Sequence, residues 1–226
     1  MIDTVIVSGG MIQKDFALDF IKKLKKERRD EKLVLMAADR GLDFFQETGL
    51  VPDIADGDFD SVSGEGKAYL ESLSDTEVVQ LKPEKDDTDT QSALNLAIQN
   101  GARNILILGA TGGRMDHFLG NLGLLSLGKL KGVKVALADA QNYICLVDSG
   151  KVLRKDSQFG KYVSFFPVGG QVEGLTLRGF KYLLNDYCLT VADSGLTVSN
   201  EIQEEQAEVI YEKGSLMMIM SKDLIC

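Results

Sequence analysis

The feature that most constrains this sequence is a change of rhythm near residue 140. Before it, continuous apolar runs alternate with amphipathic segments. TVIVS (4–8), LVLMAA (33–38), TEVVQL (76–81), NILILG (104–109) and VKVALA (133–138) each read as a strand, and DIADG (53–57) ends a weaker one. Between the first two, residues 14–28 place Ala17, Phe20, Ile21 and Leu24 on one helical face. A short helix carrying Leu42 and Phe45 follows the second strand. Residues 88–101 form another helix, opened by the capping-box spacing Thr88-x-x-Gln91 and closed by Gly101. A last helix is expected over 116–127. Strands that are apolar along their whole length are buried on both faces. That arrangement requires helices above and below a mostly parallel sheet.

Beyond residue 140 the helical spacing stops. YICLVD, KVLRK, YVSFFPV, VEGLTLRG, YCLTV, LTVS, AEVIYE and SLMMIMS succeed one another, separated by turns rich in Gly, Asp, Ser and Asn. Short strands at regular spacing read as a β-sandwich or open barrel. The expected architecture is therefore an α/β N-terminal domain with a mostly parallel sheet over 1–140, plus a C-terminal all-β sandwich domain over 141–226.

Charge and cysteine usage narrow the function. The 226 residues carry a net charge of −9, which repels phosphate backbones and argues against nucleic-acid binding. A phosphorylated ligand would need a cation to mediate. Cys145, Cys188 and Cys226 are far apart, odd in number and without a CxxC pair, as expected in a reducing cytosol. MIDTVIVSGG lacks the basic start of a signal peptide, and no apolar run approaches the ~20 residues of a membrane helix. The expected location is cytoplasmic, away from membranes.

The cation has an evident landing place. Asp53 and ADGDFDS (55–61) put four carboxylates into eight residues with no Lys or Arg among them. An EF-hand is excluded, because counting from Asp56 the sixth position is Ser61 and the twelfth is Lys67. Asp58-Phe-Asp60-Ser-Val62 superficially fits a phosphatase nucleophile motif but lacks the strongly apolar strand directly before it. On an extended chain, alternate residues point the same way about 6.5 Å apart, so Asp56 and Asp58 can converge on Mg²⁺. The bland alternative is a solvated loop capping the next helix through Asp60 or Ser61. A second acidic cluster, KDDTD (85–89), also follows a strand and opens a helix. In a parallel sheet such loops gather at one edge, where Asp56, Asp58, Asp86 and Asp89 could share a metal.

A third element, GATGGRMDH (109–117), lies between a strand and a helix. Its glycines permit close approach to phosphate, the helix start offers N–H groups, and Arg114 can grip phosphate through two hydrogen bonds. It is neither a Walker A loop nor GxGxxG. His117, the chain's one histidine, falls here. Ser8-Gly9-Gly10 follows the first strand and can shape the same edge.

Together, ADGDFDS, KDDTD and GGRMDH with Asn121 downstream closely resemble the thiamine pyrophosphokinase family. Asp39-Arg40-Gly41, the GFKYLL turn (179–184) and Ser199-Asn200 extend the resemblance over essentially the whole chain. The resemblance implies an α/β domain binding Mg–ATP, a thiamine-binding sandwich, and a homodimer with active sites between subunits. It implies nucleotide contacts from Asp39, Arg40, Thr111, Gly112, Gly113, Arg114 and His117. Metal would be held by Asp56, Asp58, Asp86 and Asp89. Asp58, Asp86, Asp89, Arg114 and Asp116 would carry the chemistry, with Asp116 or Asp89 taking the proton. Tyr182, Ser199 and Asn200 would contact thiamine. The family pattern has Leu and Pro where this chain has Phe180 and Leu183, and some members have Trp at Tyr182. Another Mg²⁺-dependent phosphotransferase or hydrolase, or a non-catalytic binder, remain the alternatives.

Overall fold

The computed structural model describes residues 1–29, 31–81 and 87–223. The chain divides into two compact units, Met1–Ala140 and Gln141–Cys226.

The first unit alternates strand and helix: β1 (Thr4–Val7), α1 (Lys14–Arg28), β2 (Val34–Ala38), α2 (Leu42–Thr48), β3 (Ile54–Gly57), α3 (Gly64–Ser72), β4 (Glu77–Gln80), α4 (Asp89–Gln99), β5 (Asn104–Leu108), α5 (Met115–Leu130) and β6 (Lys134–Ala138). All six strands pair in parallel, in the order β6-β5-β1-β2-β3-β4. The central strands form the core: Ile6, Leu35, Met36 and Ile105 to Leu108 are fully buried. This matches the uninterrupted apolar runs.

The sequence foresaw helix α3 only as a helix capped by Asp60 or Ser61, with no bounds. It opens Ser63-Gly-Glu-Gly and buries little apolar surface, so periodicity is faint. Its start lies elsewhere than expected. Ser63 caps it, accepting a 3.0 Å bond from the Gly66 N–H, whereas the Ser61 hydroxyl donates to Asp39. At α4 the expected cap is present, with Thr88 Oγ1 accepting from the Gln91 N–H at 3.3 Å. The Gln91 side chain, however, turns to Asp87.

The second unit contains β7 (Asn142–Val147), β8 (Lys151–Arg154), β9 (Tyr162–Pro167), β10 (Val172–Arg178), β11 (Leu184–Leu189), β12 (Asn200–Glu201), β13 (Gln206–Ile210) and β14 (Leu216–Ser221). Two antiparallel sheets, β12-β9-β14-β7 and β11-β10-β13-β8, contribute to a single core. Val163, Phe165, Leu216 and Met218 come from one sheet; Leu153, Leu175, Leu177, Leu189 and Val209 come from the other. This is the sandwich expected from the strand rhythm. LTVS (196–199) is not a strand. Val191–Thr197 instead wind into 3-10 turns, because Thr190 and Asp193 bond one another's backbone and side chain and draw the chain away from a ladder.

Candidate active site

Strand order locates the site of the first unit. The chain steps outward from β1 to β4, then returns to the other side of β1 for β5. The reversal lies between β1 and β5, and ligands of open α/β sheets bind beyond the strand ends at such a point. Both glycine loops are there. The Gly10 N–H donates to the Gly109 carbonyl at 3.0 Å. A Cβ on Gly10 would lie 2.3 Å from that oxygen, so only glycine allows the approach.

Beside this point three carboxylates crowd together. One ligand oxygen from each of Asp39, Asp58 and Asp60 lies within 4.8 Å of the others. Backbone geometry creates the cluster. Phe59 adopts φ 59° and buries its ring, a left-handed turn that costs an aromatic residue about 1–3 kcal/mol. The turn brings Asp58 and Asp60 together, and the Asp60 N–H donates to Asp58 Oδ1 at 3.2 Å. Gly57 lets the end of β3 approach Asp39, whose Cα would be 2.8 Å from an added Cβ. Asp39 Oδ2 accepts from the Ser61 hydroxyl, while its buried Oδ1 has no hydrogen-bond partner among the described residues. The Asp60 carboxyl is raised above its ordinary pKa, chiefly by the charge of Asp58, then by desolvation and the charges of Asp39 and Asp89. Crowded oxygens of like charge, one of them buried and unsatisfied, suit a hard divalent cation.

Of the expected metal set, Asp58 is in the cluster, together with Asp39 and Asp60, which the sequence reading had not placed there. Asp56 is wholly buried within β3 and lies outside the group. Asp86 lies outside the described residues. Asp89 is the first residue of α4 and close enough to perturb Asp60. Its helix start is pinned to the end of β1 by the buried 2.6 Å contact between the Ser8 and Thr90 hydroxyls. The sequence reading left Asp60 out of its candidate set because it assumed an extended chain. The Asp-Phe-Asp spacing was visible; the turn at Phe59 was not.

Arg114, Asp116 and His117 open α5. Arg114 donates to both Asp116 oxygens, at 3.1 and 2.6 Å. This pairing, with the His117 N–H at 2.8 Å, holds the Asp116 carboxyl down at about 2. Thr111, Gly112 and Gly113 form the preceding loop. Asn121 closes it by donating to the Ala110 carbonyl at 2.9 Å. Arg40 is exposed, 3.7 Å from Asp43.

In the second unit Tyr182 is 55% exposed, with the Lys181 ammonium 5.5 Å from its ring centre. Ser199 is exposed at φ 56°, its N–H bonded to Ser164 Oγ at 2.9 Å. Asn200 is buried, with its amide directed at the backbone of Tyr182.

Comparison with known proteins bears on both units. Residues 25–137 match the family model described as "Thiamin pyrophosphokinase, catalytic domain". Residues 151–216 match "Thiamin pyrophosphokinase, vitamin B1 binding domain". The chain belongs to the thiamine pyrophosphokinase family. It is 37% identical over 194 residues to the thiamine pyrophosphokinase of Bacillus subtilis, covering 86% of this chain and 90% of the relative. A crystal structure of a Bacillus subtilis thiamine pyrophosphokinase superposes with TM-score 0.83 at 34% identity, covering 98% of this chain and 99% of that one. The Geobacillus thermodenitrificans structure gives TM-score 0.80 at 33% identity, with 99% of each chain covered.

Proposed function

We propose that this protein transfers the β,γ-pyrophosphoryl group of ATP to the hydroxyl of thiamine, giving thiamine diphosphate and AMP. The observation that carries the reading is the Asp39–Asp58–Asp60 cluster beside the glycine loops, in a chain both of whose units match models of this family. ATP carries about four negative charges, and an acidic edge can accept it only through a cation. Asp39, Asp58 and Asp60 would hold Mg²⁺, with Asp89 at the start of α4 beside the same phosphates. When bound, Mg²⁺ neutralises phosphate oxygens and stabilises charge developing at the β-phosphorus.

The chain's own residues then bind and orient. Arg114 spends two of its five N–H donors on Asp116 and has the others for phosphate. Thr111, Gly112, Gly113, Arg40 and His117 line the nucleotide side. Asp116, held at about 2, is a poor base, which favours Asp89 as acceptor of the hydroxyl proton. Thiamine is cationic, and the exposed ring of Tyr182 suits its charge, with Ser199 beside it. A homodimer in which the partner completes the site is the arrangement that the family resemblance implies. No helix among the described residues is long and apolar enough to cross a membrane. That and the scattered cysteines support a cytoplasmic enzyme.

The test is AMP release from ATP and Mg²⁺, with and without thiamine. Thiamine-dependent AMP supports the reading. ADP or inorganic phosphate would point to a different phosphotransferase or hydrolase, and no turnover to a binding protein.

A further inference from the structure

Asn200 has little of its side chain left for a substrate. It is 2% exposed. Its Oδ1 accepts from the Tyr182 N–H at 2.9 Å and from the Glu201 N–H at 2.9 Å, which uses both lone pairs. Its Nδ2 donates to the Tyr182 carbonyl at 2.7 Å. One buried amide therefore takes both backbone polar groups of a residue 18 positions away. The ring attached to that backbone is half exposed. The flanking contacts hold Asn200 in this pose. Ser164 fixes the left-handed Ser199 from β9, and β12 pairs Asn200 with Val163. On the other side, Lys181 is tied to Glu201 at 3.0 Å.

We infer that Asn200 is a positioning residue: it sets where the Tyr182 ring stands, and acts on thiamine only through that ring. The inference rests on the proposed thiamine role of Tyr182, and it replaces direct contact between Asn200 and the pyrimidine. Tyr182 lies in a turn just before β11, on the segment Gly179–Leu183. Without the amide, two backbone groups lose their partners, and the turn can relax toward water with its ring displaced. Binding energy that depends on ring placement is then lost, while the nucleotide edge in the other unit keeps all its residues.

A double-mutant cycle tests this with the full-length enzyme. Thiamine KM, ATP KM and kcat are measured for Asn200→Ala, Tyr182→Ala and the double variant, with thermal unfolding recorded for each. Asn200→Asp is the second variant. It is nearly isosteric and keeps both acceptor contacts, but sets a repelling carboxylate oxygen against the Tyr182 carbonyl in place of the donor, so it displaces the turn without opening a cavity. The expected result is a roughly tenfold rise in thiamine KM for Asn200→Ala, with ATP KM unmoved. Asn200→Asp rises at least as much. Neither substitution adds to the effect of Tyr182→Ala. If Asn200 touches substrate itself, its substitutions worsen thiamine KM further in the Tyr182→Ala background, and the inference is overturned while the thiamine role of Tyr182 stands. An unchanged thiamine KM in Asn200→Asp and Asn200→Ala overturns it equally. If Tyr182→Ala alone leaves thiamine KM unchanged, the thiamine role of Tyr182 falls, and the inference with it.

Discussion

The acidic edge of the α/β unit and the Tyr182 edge of the β unit solve opposite problems. At the first, backbone geometry forces like charges together. Phe59 is left-handed, Gly57 admits Asp39, and a buried Asp39 oxygen is unsatisfied. At the second, polar groups are matched internally. Asn200 satisfies Tyr182, and Glu201 holds Lys181 at 3.0 Å and Lys161 at 3.6 Å, so what remains for a ligand is an aromatic face. On the proposed reading, the first edge is completed by a cation and its phosphates. The second is complete in itself and offers a surface.

A smaller pair repeats the lesson. Arg114 chelates Asp116, and Arg154 chelates Asp156 at 3.2 and 2.9 Å with the same spacing. Locally the two hooks are alike. Arg114, however, stands where a glycine loop enters a sixteen-residue helix, and Arg154 ends an exposed strand. On the proposed reading, that position gives Arg114 a phosphate to bind.

The contrast between the edges breaks most visibly at Asp58. Asp58→Asn is expected to cut kcat by at least about a thousandfold, while circular dichroism and the unfolding midpoint show an intact fold. Asp86→Asn should do the same. Retained turnover in both would refute the acidic edge as the catalytic one.

Next comes the pair of arginine hooks. Arg114→Ala should raise ATP KM by about ten- to a hundredfold, and Arg154→Ala should leave it within about twofold. Arg114→Ala should also return the Asp116 carboxyl from about 2 toward the ordinary range, read by NMR titration. Because the folded value is the lower one, the Arg114 contact stabilises the fold above the ordinary carboxylate pKa. That stability disappears as pH falls through about 2. Equal effects of the two arginines on ATP would erase the distinction drawn between them.

The smallest expected effect is thermal. Mg²⁺ alone should raise the unfolding midpoint of the wild-type protein by about 5 °C at saturation, and that of Asp60→Asn by clearly less. The same shift in both proteins would remove Asp60 from the cation site.

Much of this protein was written in local sequence. Apolar runs such as NILIL and VKVALA announced strands buried on both faces, and the α4 start at Thr88 followed from one hydroxyl and one N–H. The break in rhythm near residue 140 coincides with the division of the chain into two units. These features depend on residues near one another in the chain, where spacing alone carries the physics. Three things were not legible. Helix α3 lacks an apolar stripe, so nothing periodic marked it. LTVS reads as a strand, but Thr190 and Asp193 gave it a competing set of bonds. Asp60 joined Asp39 because of a left-handed Phe59 and a glycine-only approach, neither of which a residue alphabet displays. Which carboxylates meet, and that Asn200 spends itself on Tyr182, depend on segments brought together through the third dimension. The sequence determined which chemistry was available; only tertiary structure decided which atoms meet, because convergence is set by chain reversals rather than by spacing.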